Sequence, residues 1–399
     1  MSIHTRATLP FEEPTDHPSV WPTSLPGESV HVAHIGFFND PEERAPEELL
    51  RSWPTLVDVA EAAARAGVRV SVVQSCTRVC QLQRGGACFH FLPFGESDVS
   101  PLAERLRTLI PPPQLLHVHG LGFHRQIQSL AAVLPGMPIL LQDHASRPPR
   151  IWRRGEWRRG LAVAAGVAFC AAEQAKPFAA AGLLSAHTGV YQIPESTSRF
   201  TCGDRRAARR ATGIDGAPAV LWVGHLDSNK DPLTVFRGIS MTARDLPGLR
   251  LYCCFGVAPL MREVEKCIVR DATLRERVHL LGCVPHERIE LLMRAADIFV
   301  LGSHREGSGY SLIEALACGL PAVVTDIPSF RALTGSGAAG RLWPCGDAHA
   351  LAAALRHVAA GIGPDQRRAV RAHFERELSL DALGAKFLAM YRAVIRRSR

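Results

Sequence analysis

Between Ala296 and Ile327 the chain reads ADIFVLGSHREGSGYSLIEALACGLPAVVTDI, and the order of its apolar and polar runs fixes the local fold. An apolar, β-branched run, Asp297–Leu301, stops at Gly302 and predicts a parallel strand buried on both faces. A polar loop with Gly307 and Gly309 follows. SLIEALACG then has helical spacing and ends at Gly319, and Pro321 opens a new apolar run. Strand, loop, helix and strand make one βα(β) unit, and its loop lies at the carboxyl end of a strand, where open α/β sheets bind ligands. The glycines allow close backbone approach, and the free amides of the helix start favour an anion such as phosphate. Glu306 is on the loop. Glu314 is inside the helix on one face with Ser311 and Cys318, while Leu312, Ala315 and Leu316 form the apolar face. A lone glutamate there suits the lip of a cleft, where it can accept bonds from sugar hydroxyls.

Glu306, seven residues, Glu314 and then Ala-Cys-Gly-Leu-Pro resemble the E-x7-E element of the retaining glycosyltransferases of family 4. The resemblance implies a GT-B fold, two facing Rossmann-like doubly wound α/β domains with a central cleft. It implies that a nucleoside-diphosphate sugar of the UDP or GDP type is bound mainly by the second domain. It rests on the string EGSGYSLIEALACGLPAVVT more than on the two glutamates, covers the last two-thirds of the chain well, and reaches the first third only in strand order.

Length allows two or three domains with their own cores, since the chain has 399 residues. No apolar run reaches the length of a membrane span and no secretory leader is evident, so a cytoplasmic protein is expected. The eleven cysteines are an odd number, several in apolar runs (Cys170, Cys253, Cys254, Cys318), which fits reduced buried thiols. Cys76, Cys80, Cys88 and His90 match no zinc spacing. The formal charge of +8 is mostly arginine, concentrated where Arg147 to Arg159 carries six arginines and two tryptophans. That segment suits peripheral contact with an anionic membrane face or a phosphate-bearing acceptor, and equally a solvated helix with its tryptophans turned inward. No nucleic-acid module is present.

Residues 1–28, rich in Pro, Thr and acidic side chains, read as a mobile arm. From 29 to 194 the order is β-α-β and onward, a first Rossmann-like domain on the acceptor side. ESVHVAHIGFF is a strand whose end (Gly36, Phe37, Phe38, Asn39) forms the first loop; TLVDVAEAAARAGV is a helix capped by Gly67, and RVSVVQS the second strand. QLLHVHG ends in His117, His119 and Gly120, and PILLQDHAS in Asp143 and His144, so both ends point into one crevice if the sheet is parallel. In the resembled family a histidine at the second of these ends touches the donor sugar beside the reacting carbon. His144 matches it, and His119 and Asn39 are neighbours on the acceptor side. The family's first loop is glycine-rich and lies against the donor; here Gly36 alone remains.

The boundary falls near Pro194, after which 195–380 forms the donor domain. PAVLWVGHLDSNKDPLTVF gives a strand, Ala219–Val223, a polar loop, Asp231 as N-cap and Pro232 in the first turn. Lys230 lies at the mouth of that helix, suited to a diphosphate. The family pattern VGR-L-x-x-x-K is met by Lys230, but His225 replaces the arginine. A histidine is shorter and carries charge only when protonated, so either His225 binds protonated, or another cation such as a nearby arginine substitutes, or activity is weak. The turn Cys283–Pro285 places Val284 where the family flanks the nucleobase, and the terminal helix 381–399 is of the kind that crosses back onto the first domain.

The resemblance implies that Glu314 holds the ribose, that Lys230, His225 and the backbone of Ser308, Gly309, Tyr310 and Ser311 hold the diphosphate beside Gly307, and that Glu306 and His144 act at the sugar. No Asp-x-Asp motif, dinucleotide fingerprint or P-loop occurs, so no metal and no cofactor is expected beyond the nucleotide-sugar substrate. Two other classes stay open: a sugar-nucleotide epimerase of the same architecture, and a non-catalytic nucleotide-sugar-binding protein.

Overall fold

A computed structural model describes residues 30–95 and 98–398; the arm read over residues 1–28 lies outside the described residues. The strands are β1 (His31–Gly36), β2 (Arg69–Ser75), β3 (Cys80–Arg84), β4 (Ala87–Leu92), β5 (Leu115–His119), β6 (Ile139–Gln142), β7 (Gly166–Phe169) and β8 (Gly189–Gln192), then β9 (Ala219–Val223), β10 (Arg250–Cys254), β11 (Val278–Gly282), β12 (Ile298–Leu301), β13 (Ala322–Thr325) and β14 (Gly340–Trp343). They form two sheets, ordered β3-β4-β2-β1-β5-β6-β7-β8 and β11-β10-β9-β12-β13-β14. Every pairing is parallel except β3–β4. β6, β7, β12 and β13 are buried at every residue, because helices cover both faces.

Each sheet has one place where the chain reverses its direction of growth. The first lobe runs from β1 outward to β2 and β4, then returns to add β5 on the other side of β1. The second runs from β9 to β10 and β11, then returns to β12. The carboxyl ends of β1 and β5, and of β9 and β12, therefore flank the two crevices where such sheets take ligands.

β3 and β4 were not foreseen as a hairpin. Gly85 and Gly86 form its two-residue loop with φ of 59° and 79°, the left-handed pair that a tight hairpin turn requires. The cysteines nearby do not gather: Cys80 pairs across from Phe91, Cys88 from Gln83, and all eleven cysteines are free thiols.

The helix Pro364–Glu377 packs on the second lobe through Val370 and Phe374, and the chain then crosses over. The terminal helix Leu380–Arg397 buries Leu383, Phe387, Met390, Tyr391 and Val394 in the first lobe's core, against the helix Pro54–Arg65. At about 2 kcal/mol per fully buried large side chain, that face holds the helix down with a gross gain on the order of 10 kcal/mol. Gly384 sits where the two helices touch, and a Cβ there would collide with the carbonyl oxygen of Ala62. The two crossing segments are tied together, since Thr197 Oγ1 donates to the carbonyl of Leu378 at 2.5 Å.

Candidate active site

In the second lobe the loops after β9 and β12 are bonded to each other. The amide of His304 donates to the carbonyl of Asn229 (2.8 Å), Asn229 Nδ2 donates to the carbonyl of Arg305 (3.0 Å), and His304 Nε2 meets Asp231 Oδ2 at 3.2 Å. Asp231 takes a left-handed conformation, φ 49°, and its carboxylate caps the helix Pro232–Thr242 by accepting from the amide of Thr234 at 3.2 Å. Lys230, just before it, is anchored through its amide to Asp227 Oδ1 at 2.9 Å, and its ammonium pairs with the Glu306 carboxylate. Only 16 % of the lysine side chain and 12 % of the glutamate is exposed, so each neutralises the other in a partly dry setting.

The helix Tyr310–Ala317 begins at Gly309, with φ 62° and no side-chain cap. Its first turn is an electropositive opening at the carboxyl end of β12. Ser308 is committed elsewhere: its amide donates to Glu195 Oε1 (2.9 Å) and its hydroxyl accepts from the amide of Glu195 (3.0 Å). A Cβ on Gly307 would strike Glu195 and Ala145, so that glycine serves the contact between the lobes. Of the stretch Ser308–Ser311, Tyr310 (43 % exposed) and the partly exposed Ser311 face the opening. Glu314 projects from the next turn and its Oε1 lies 2.6 Å from His286 Nε2. The Glu314 carboxylate raises the His286 pKa against the opposing pull of burial. Cys318, expected on Glu314's open face, is fully buried.

His225 is exposed, and its Nδ1 accepts from the amide of Val257 at 3.2 Å. Val284 is half-buried against the second lobe's core. Arg305, beside Glu306, reaches across to donate to the carbonyl of Ala145 at 3.1 Å.

On the first lobe, Asp143 accepts from the amide of Ser146 at 2.9 Å, closing a turn in which Ala145 has φ 61°. This turn aims His144 at the other lobe, where its Nδ1 pairs with the buried carboxylate of Glu195. Burial pulls the His144 pKa down, but Glu195 outweighs it and the net shift is upward. His144 Nε2 faces His119 Nδ1 at 3.3 Å, so both ring nitrogens have protein partners. Gly36 lies under the Gln74 side chain, which fills the space a Cβ would need and donates to the carbonyl of Phe38 at 2.7 Å. Asn39 is exposed beyond it. In the basic segment Trp157 is buried while Ile151 and Trp152 are more than two-thirds exposed, so one tryptophan turns inward and one does not.

Sequence reasoning did not single out Glu195, Gln174, Arg305, His286 or His34. Gln174 Nε2 donates to the carbonyl of Glu306 (2.9 Å) and Arg331 pairs with Glu173 (2.7 Å), both between the lobes.

Residues 204–371 match the family model of glycosyl transferases group 1. That match covers most of the second lobe, on a chain of GT-B fold. Among curated relatives, the chain is similar to the D-inositol 3-phosphate glycosyltransferase of Geodermatophilus obscurus, 32 % identical over 48 % of this chain and 45 % of the relative. It is likewise similar to that of Mycobacterium tuberculosis, 32 % identical over 49 % of this chain and 42 % of the relative. The chain thus spans about half the length of the curated relatives it matches. Among solved structures, starch synthase IV of Arabidopsis thaliana bound to ADP and acarbose superposes with TM-score 0.67 at 14 % identity, over 92 % of this chain and 100 % of the other. Anabaena HepE in complex with UDP and glucose gives 0.63 at 15 %, over 91 % and 100 %. At these identities the likeness is one of fold.

Proposed function

We propose that this chain is a retaining glycosyltransferase of family 4 that moves a sugar from a UDP- or GDP-sugar to a hydroxyl acceptor, with no metal at the diphosphate. The observation that carries the reading is the Lys230–Glu306 pair at the carboxyl ends of β9 and β12, beside the uncapped start of the helix Tyr310–Ala317. A cation, an uncapped helix start and a carboxylate one turn in are what a diphosphate followed by a ribose requires.

On this reading Lys230 leaves Glu306 for the diphosphate, and the released carboxylate orients the sugar. Glu314 exchanges His286 for the ribose hydroxyls. Arg305 supplies the second positive charge that His225 is too short to give. As the bond from the anomeric carbon to the diphosphate breaks, negative charge grows on the leaving oxygen, where Lys230 and the helix dipole lower the barrier. The acceptor oxygen bonds to that carbon from the same face, and its proton passes to the departing phosphate oxygen. His144, held by Glu195, borders the sugar; a bond to it from Nε2 replaces the contact with His119.

The acceptor sits against the first-lobe loops bearing Asn39 and His119. The relatives' names make a phosphate-bearing polyol one acceptor to try. No described helix is long and apolar enough to cross a membrane. The reading places the protein in the cytoplasm, with exposed Ile151 and Trp152 among arginines as the part that meets an anionic membrane face.

The test is product analysis with UDP- and GDP-sugars. Transferase activity releases nucleotide only with an acceptor and gives a product of unchanged anomeric configuration. An isomeric sugar nucleotide without acceptor would make the chain an epimerase; tight binding with neither product would make it a binding protein.

A further inference from the structure

Next to His144, three histidines meet at the reversal point of the first sheet. His34 is on β1, and His117 and His119 are on the adjacent β5. A ring nitrogen of each lies within 4.8 Å of one from each of the others. His34 and His117 are fully buried. Each of the three has one nitrogen sealed from solvent with no hydrogen bond: Nδ1 of His34 and Nε2 of His117 and His119. Their other nitrogens are engaged. His34 Nε2 and His117 Nδ1 both lie 2.9 Å from the hydroxyl of Tyr391, and His119 Nδ1 lies 3.3 Å from His144 Nε2. The side chain of Gln142 lies within hydrogen-bonding reach of His117.

Three neighbouring imidazole rings, each with one buried nitrogen left without a hydrogen bond, cost more than a core normally tolerates. Their partners show what relieves that cost. The Tyr391 oxygen has two lone pairs, so it can accept an N–H from both His34 and His117, leaving a bare lone pair on the far nitrogen of each. In the tautomer in which His119 gives its Nδ1–H to a neutral His144, it presents a third. This is the arrangement of ligating histidines oriented by hydrogen bonds to their outer nitrogens. Imidazole donors with no carboxylate among them suit zinc and its first-row neighbours and not magnesium or calcium. Beyond His119, His144 is paired in turn with the buried carboxylate of Glu195.

We infer that His34, His117 and His119 form a site for one divalent transition ion of the zinc type, which pins the terminal helix to β1 and β5 through Tyr391. The ion is separate from the diphosphate and takes no part in the transfer, and the inference does not depend on the proposed function. Zinc–nitrogen bonds of about 2.0–2.1 Å require the rings to close by roughly an ångström, within reach of side-chain rotation.

The test uses the full chain with any tag removed, stripped with chelator and titrated with Zn2+ and Co2+. One ion per chain is expected, with cobalt absorption of imidazole ligands and no thiolate charge-transfer band, and a raised unfolding temperature with Zn2+. His119→Gln, at the partly exposed edge, should weaken binding at least about tenfold, and Tyr391→Phe, which keeps all three ligands, about tenfold to a hundredfold. The cobalt spectrum of the unaltered chain decides the matter if a variant fails to fold. No bound ion, a thiolate spectrum from the free cysteines, or Zn2+ affinity unchanged in folded His119→Gln would overturn the inference.

Discussion

Lys230 and Glu314 are each satisfied inside the protein, by Glu306 and His286, before any ligand arrives. A donor has to replace those partners with better ones. A hydrogen bond to a charged group is worth about 1.5–3 kcal/mol, so Lys230→Ala should weaken UDP- or GDP-sugar binding about tenfold to a hundredfold, read by calorimetry. Glu314→Ala should act in the same direction. The His286–Glu314 pair also gives a pH signature. His286 titrates above its unfolded value, so the pair's contribution is complete below about pH 6.5 and disappears as pH rises through the raised pKa. The melting-temperature gap between the parent and His286→Gln should be widest near pH 5.5 and close by pH 8.5. A gap that widens with pH would refute the pairing.

Helices and strands divide into those whose identity is local and those that depend on neighbours. The unit from Ala296 to Ile327 was legible because a β-branched run, glycine punctuation and helical spacing all sit within one short string, as found in β12, the helix Tyr310–Ala317 and β13. The hairpin β3–β4 has a strong local turn signal in Gly85-Gly86, but β3 is a polar, largely exposed edge strand with no apolar run to mark it. Glu195 could not be read at all. It is one glutamate in a Pro, Ser, Thr-rich turn, and its meaning comes from Ser308, 113 positions away. The alternation His117-x-His119 was visible, but its meeting with His34 depends on β5 adding beside β1. At this scale Gly384 carries a sharp prediction. Gly384→Val puts atoms into the backbone of Ala62 and should cost about 1–3 kcal/mol, lowering the unfolding midpoint by a few degrees. Gly256→Ala, with nothing within 4 Å, should leave it unchanged.

Across the whole molecule, the loop after β12 is both the proposed ligand loop and the main bridge between lobes. Arg305 reaches Ala145, Gln174 holds the Glu306 carbonyl, and Glu195 joins Ser308 to His144. Donor binding and lobe position are thereby coupled through one segment. Glu195→Gln should lower the transfer rate about a hundredfold, since small misplacements cost that much, while UDP or GDP affinity changes less than about threefold. Equal losses in both would show that Glu195 acts on the nucleotide and not on lobe alignment. The central claim is that a nucleoside-diphosphate sugar is held where β9 and β12 part, and titration calorimetry of UDP- and GDP-sugars against the parent and Lys230→Ala tests it most directly. The account predicts saturable binding of at least one donor by the parent and a loss of tenfold or more in the variant; binding of equal strength to both proteins, or none to the parent, would contradict it.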